Sequence, residues 1–209
     1  MPLQNRVDPS GEIFRSPARG TFMGNRGGPL HNEAREIVRQ FKNQRWITCL
    51  LEFKGRKRAV MSLGKYTELF FFDEAVALAA GHRPCAECRR ERYNAFRDAW
   101  SRSSRRDSSQ FLLATEMDAE LHRKRIDSEG KKVTFEASLD ALPEGCFVRI
   151  DGSSYLLHRG LLLLWSPEGY TKRHDLVGVS KVTVLTPEPI VRCIREGYKP
   201  EIHESALAF

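Results

Sequence analysis

The stretch Ala80-Gly81-His82-Arg83-Pro84-Cys85-Ala86-Glu87-Cys88-Arg89-Arg90 constrains this chain more than any other. Two cysteines two residues apart bring their sulfurs onto one turn, where both can reach a single zinc at about 2.3 Å. Gly81 ends one helix pattern and Pro84 opens the next, so the pair sits at a helix start, whose dipole favours thiolates. A structural zinc takes four ligands, and the chain has no second C-x-x-C. The fold must therefore bring further donors to Cys85 and Cys88. A redox C-x-x-C would follow the first strand of a thioredoxin-like pattern, which is not seen here.

Two upstream residues are candidate donors. His31, in "MGNRGGPLHNE", closes a glycine-rich loop at an expected helix start. Cys49 lies in "WITCLLEF", where Ile47, Cys49, Leu51 and Phe53 form one strand face; a cysteine there also reads as a small core residue. The expected ligand set is thus Cys85, Cys88, His31 and Cys49, with zinc as the metal. His82 adjoins the pair but reads as a packing residue, and Cys146 and Cys193 fall on apolar phases as buried thiols.

Charge gives the second constraint. Between Arg83 and Arg106 eight arginines stand against three acids, and the whole chain carries a formal charge of +7 with a pI near 9.3. Clustered arginines bind phosphate backbones by releasing counterions, so nucleic acid, DNA first, is the expected partner. Arg89, Arg90 and Arg92 on the helix, with Lys57 at the end of the turn "KGRK" and Arg58 just after it, are the expected phosphate contacts. The bland alternative is a solvated helix face.

The segment "ELFFFDEAVALAAGHRPCAECRR" (Glu68 to Arg90) resembles the second half of the zinc-binding domain of the Ada DNA-repair protein. That family shows a short strand ending in aromatics, an acidic helix start, an alanine-rich turn and then A-G-[aromatic]-R-P-C-x-x-C. The resemblance implies zinc on Cys85 and Cys88 and a role in DNA repair or processing. The family draws two further ligands from an upstream cysteine-rich stretch, one of which accepts a methyl group from DNA phosphotriesters. Here the residues from Arg56 to Phe72 include no cysteine or histidine, so the remaining ligands must come from elsewhere.

An enzyme reading competes. His31-Asn32-Glu33 and Pro84-Cys85-Ala86-Glu87-Cys88 together spell H-x-E…P-C-x-x-C, similar to zinc-dependent nucleobase and nucleoside deaminases. His31, Cys85 and Cys88 would hold zinc and Glu33 would move the proton. The three strands expected between the two motifs count against it. A histidine–metal nuclease built on "LHNE" lacks a following ββα pattern.

The remaining expectations concern layout. Of the 209 residues 41% are apolar, but the longest apolar runs (Leu69 to Phe72, Leu161 to Trp165) are far too short for a bilayer. The first residues show no secretory h-region, and five irregularly spaced cysteines suit a reducing cytoplasm. The fold expected is α+β: a small zinc-binding αβ module over residues 1–100, a linker over 101–109, and a β-rich meander over 110–209 of unassigned role. Within the first unit, residues 1–30 read as a loop, 31–41 as a helix, and "WITCLLEF", "RAVMS" and "YTELFFF" as strands. A short helix capped by Asp73 and closed by Gly81 precedes a longer one from Pro84 to Trp100. Thr115 and Asp118 are in capping-box spacing for a third helix, and "EPIVRCIREG" reads as a fourth. In the meander, Trp165, Tyr170 and His158 offer a stacking surface or, alternatively, core packing. Ile202 and Phe209 are expected to pin the terminal tail.

Overall fold

Short strands build two sheets, and the helices pack with them into two apolar clusters. The computed structural model describes residues 1–56, 59–104, 112–174 and 180–209. Its first sheet contains β1 (Gln4–Val7), β2 (Ile13–Arg15), β3 (Phe22–Arg26), β4 (Trp46–Cys49), β5 (Leu69–Phe71) and β6 (Arg83–Pro84), ordered β2-β1-β5-β3-β4-β6. Strands β1 and β5, and β4 and β6, run parallel; the other pairs are antiparallel. The second sheet, wholly antiparallel, holds β7 (Phe135–Ser138), β8 (Phe147–Ile150), β9 (Ser153–His158), β10 (Leu161–Ser166), β11 (Gly169–His174) and β12 (Lys181–Val184), ordered β11-β10-β9-β8-β12-β7. With α1 (Glu74–Ala79), α2 (Arg90–Ser103), α3 (Ala114–Arg125) and α4 (Glu188–Arg195) the class is α+β. No helix among the described residues is long and apolar enough to cross a membrane.

The local signals around α1 act as expected. Asp73 Oδ1 accepts the Val76 N–H at 2.9 Å. At the other end Gly81 adopts φ 85°, and the His82 and Gly81 N–H groups bond back to the Ala77 and Leu78 carbonyls, each at 2.9 Å. That is a Schellman ending, which needs the left-handed conformation glycine adopts cheaply.

Several expectations are corrected. Residues 1–30 are not a loop but supply β1, β2 and β3, whose pairing partners are mostly distant in sequence. Residues 31–41 form no helix: the Asn32 side chain accepts the Glu36 N–H, Arg35 takes φ 60°, and His31 bridges back to Ile37. Asparagine here offers the backbone a turn in place of a helical bond. "RAVMS" makes no strand over its described residues; Met61 turns at φ 55° and gives its N–H to Glu68. Helix α2 starts at Arg90, because Pro84 is spent in β6 beside Thr48. Helix α3 starts after Leu113 rather than Thr115, with Glu116 Oε2 accepting the Leu113 N–H. Of the expected linker, Ser101 to Ser103 belong to α2, while residues 105–109 lie outside the described residues.

The two halves share their interior. One apolar cluster joins Phe96 and Trp100 of α2, Met117 and Leu121 of α3, and Cys193 of α4 to Val148, Leu162 and Val184 of the second sheet. The other joins Val7, Leu69, Phe71 and the α1 residues Val76 and Ala79 to Phe147, Leu156, Leu163 and Leu185. All six residues of α1 are buried, so it lies at the centre of the molecule. Ile202 packs against this cluster, whereas Phe209 is exposed.

Behind α1 the interior is unusually cationic. Trp46 is flanked by Arg26 and Arg125, each guanidinium 4.0 Å from the ring. Their N–H groups go to carbonyls of Gly11, Gln40, Gly81 and Gln44. Lys132 Nζ donates to the Ala79 carbonyl, and burial pulls its ammonium down to about 7. In the unfolded chain that group titrates near 10.4. Between those values the unfolded state holds a proton that the folded state has released, so stability attributable to Lys132 rises with pH across that window. Lys132→Met should gain on the native chain most at pH 6.5 and least near pH 10. Urea titrations at both pH values would read this, and an equal difference at the two would refute it.

Candidate metal centre

Strand β4 delivers Cys49 at its last position, in register with Met23 of β3. On its other side β4 pairs with β6 through Thr48 and Pro84, and the Cys85 N–H extends that pairing to the Thr48 carbonyl at 2.9 Å. This bond sets Cys85 beside Cys49. The chain then turns: the Glu87 N–H points to Cys85 Sγ at 3.4 Å and the Arg89 N–H to the Cys85 carbonyl, which brings Cys88 round at the head of α2. The sulfurs of Cys49, Cys85 and Cys88 all lie within 4.8 Å of one another. Around a tetrahedral zinc with 2.3 Å bonds, neighbouring sulfurs stand about 3.8 Å apart, so the donor set fits with a small contraction. Three close cysteines able to hold a metal ion are therefore present.

Their electrostatics suit metal binding. Hydrogen bonds from the Cys49 and Cys88 thiols hold the Cys85 thiol far below its ordinary value. Cys49, hydrogen-bonded to Cys85 and Cys88 and buried, is pushed well up. For Cys88 the bond with Cys49 lowers, but the bond with Cys85, burial and the Cys85 charge together raise. By contrast Cys146 and Cys193 are fully buried in the α2–α4 cluster, and burial pushes Cys146 up to about 12 and Cys193 higher still. They are inert packing thiols, as expected.

The three sulfurs form part of the wall of a cavity of about 590 Å³. Its floor is the outer face of the first sheet, with Met23 and Asn25 of β3, Ile47 of β4 and Phe70 of β5. The segment after β4 covers it with Leu51, Phe53, Arg56 and Tyr66. Glu68 is 3% exposed there, one oxygen accepting the Met61 N–H; Arg56 at the rim pairs with Glu87 at 2.6 Å. None of these lining residues carries a sequence signal beyond its type, because the cavity is made by pairing across β3, β4 and β5.

Other expected site residues lie elsewhere. His31 is not brought to the thiols: its Nδ1 bonds Thr67 Oγ1 at 2.7 Å, the same oxygen that accepts the Leu30 N–H. Without the expected helix start, that turn aims the ring at Thr67. Glu33 is exposed and lines no part of the cavity, so the H-x-E…P-C-x-x-C set is not assembled. His82 packs between Trp46 and Phe71, with Nε2 accepting from Arg26 at 3.3 Å. Of the expected phosphate contacts, Arg89 is 4% exposed and paired with Glu74 at 2.9 Å and Glu201 at 3.0 Å. Arg92 also pairs with Glu74, at 2.6 Å. These acids, distant in sequence, consume two of the three helix charges; Arg90 alone remains exposed. Lys57 and Arg58 lie outside the described residues. Tyr170 is buried with its hydroxyl on Asp73, and Trp165 packs edge-on against Phe14, so the packing alternative holds in the meander. Compared with protein-family models, curated proteins and solved structures, the chain matches none.

Proposed function

We propose that this chain is a zinc protein acting on nucleic acid, DNA first, with the metal held by Cys49, Cys85 and Cys88. The observation that carries the reading is the convergence of three thiols from β4 and the α2 approach. Bound there, zinc would tie the end of β4 to the start of α2 and hold one coordination position towards the cavity. The nucleic-acid partner is supported by the net charge of +7, by exposed Arg90 beside Cys88, and by Arg56 at the cavity rim, whose ion pair with Glu87 is open to solvent. The resemblance of Glu68 to Arg90 to the Ada zinc domain points the same way, towards DNA repair or processing.

Metal analysis of purified protein should give about one zinc per chain. Binding to double-stranded DNA should weaken steeply with salt, and Arg56→Ala with Arg90→Ala should reduce the log–log salt slope by about 2. Protein that binds no DNA at 50 mM salt, or whose slope ignores both arginines, overturns the nucleic-acid reading while leaving the metal reading to its own test.

A further inference from the structure

The cavity holds chemistry that a purely structural zinc site does not use. Among the described residues no fourth histidine, cysteine or carboxylate donor joins the three sulfurs. A site with three protein ligands keeps a position for an exogenous one. The space beside it, about 590 Å³, falls within the roughly 300–1,000 Å³ of small-molecule sites.

We infer that the fourth position belongs to a small, neutral, nitrogen-donor heteroaromatic of the nucleobase or imidazole kind, admitted through this cavity; the inference rests on the zinc reading above. Charge selects for neutrality. A divalent zinc with three thiolates carries one net negative charge, and the cavity adds Glu52, Glu68 and Glu87 against Arg56. Among the described lining residues the balance is therefore negative. An anionic ligand would enter against that field in a partly desolvated space. Shape selects for a flat ring. The floor is a strand face carrying Met23, Ile47 and Phe70, and Phe53 and Tyr66 add aromatic walls on which a heterocycle stacks. Polarity gives it edges to bind. Asn25 is buried with Oδ1 held by the Gly27 N–H, which leaves its Nδ2 without a partner among the described residues. A ring nitrogen is also the borderline donor that zinc accepts beside thiolates.

The test uses cobalt(II) in place of zinc on the full chain, whose visible d–d bands report the ligand set. Titration with 1-methylimidazole or adenine should shift those bands saturably, and azide at the same concentration should leave them in place. A single-stranded purine oligonucleotide forms a further arm: a shift with it places the ring in a strand, and a shift with adenine alone places it in a free base. Ile47→Trp, which fills the cavity from its floor, should keep the cobalt–thiolate bands and weaken the ligand response at least tenfold. Met23→Trp serves the same purpose if Ile47→Trp does not fold. Bands unmoved by every ring, an equal shift with azide, or an undiminished response in a folded cavity-filled variant would each overturn the inference and leave the metal site standing. Absence of cobalt uptake would remove the metal reading itself, and this inference with it.

Discussion

Glu74→Ala is expected to destabilise the protein by roughly 3–5 kcal/mol, the cost seen when one partner is taken from a buried ion pair. Glu74 has no exposed surface. Its Oε1 accepts the Tyr198 hydroxyl at 2.5 Å and lies 2.9 Å from Arg89 Nη1, off the line of that N–H. Its Oε2 takes Arg92 at 2.6 Å and the Glu201 N–H at 2.8 Å. Removing the carboxylate leaves Arg89 in the interior with only the half-exposed Glu201 for compensation, and frees three other donors. The same carboxylate joins α1, the head of α2 and the terminal segment, so little nearby can relax to fill the gap. Urea unfolding would measure the loss, and a cost below about 1 kcal/mol would show that water reaches Arg89. The companion variant Glu74→Met with Arg89→Met should recover much of the loss, because it removes both buried charges at once.

The second large effect is on metal content. Cys49→Ser should take bound zinc from about one per chain to near none, whereas Cys146→Ser, at a thiol remote from the triad, should leave it unchanged. A hydroxyl is a poor substitute for thiolate at zinc, and two donors cannot close the site. Zinc should raise the Tm of the native chain, because any ligand of the folded state alone stabilises it, and should no longer do so for Cys49→Ser. Chelation should reproduce that loss in the native chain. Full zinc occupancy in Cys49→Ser would show that Cys85 and Cys88 recruit a different partner. Acid should release the metal as protons compete for the sulfurs.

Sequence legibility followed the distance over which each feature is determined. Asp73 and Gly81 bracket α1 because caps are settled within one turn of the chain. The strands β1 to β3 were illegible as strands: β5, which binds β1 and β3, begins at Leu69, and no pattern within residues 1–30 announces that pairing. The thiol pair was evident from its spacing. Whether Cys49 or His31 joins it depends on one inter-strand bond, Thr48 to Cys85, which spacing does not reveal. The charge on α2 was plain, but its availability was not, since Glu74 and Glu201 lie far from the arginines they hold. The cavity had no sequence signature at all, being an outward sheet face roofed by an irregular segment.

The interleaving of β-sheet side chains around α1 has a consequence for dissection. Val76 and Ala79 share one cluster with Phe147, Leu156 and Leu163, so cutting the chain near residue 100 would strip the thiol-bearing half of much of its interior. A truncated fragment is the wrong instrument for assigning work to either half. Point substitutions in the intact polypeptide are the right one, and melting should proceed as a single event whichever sheet a probe watches.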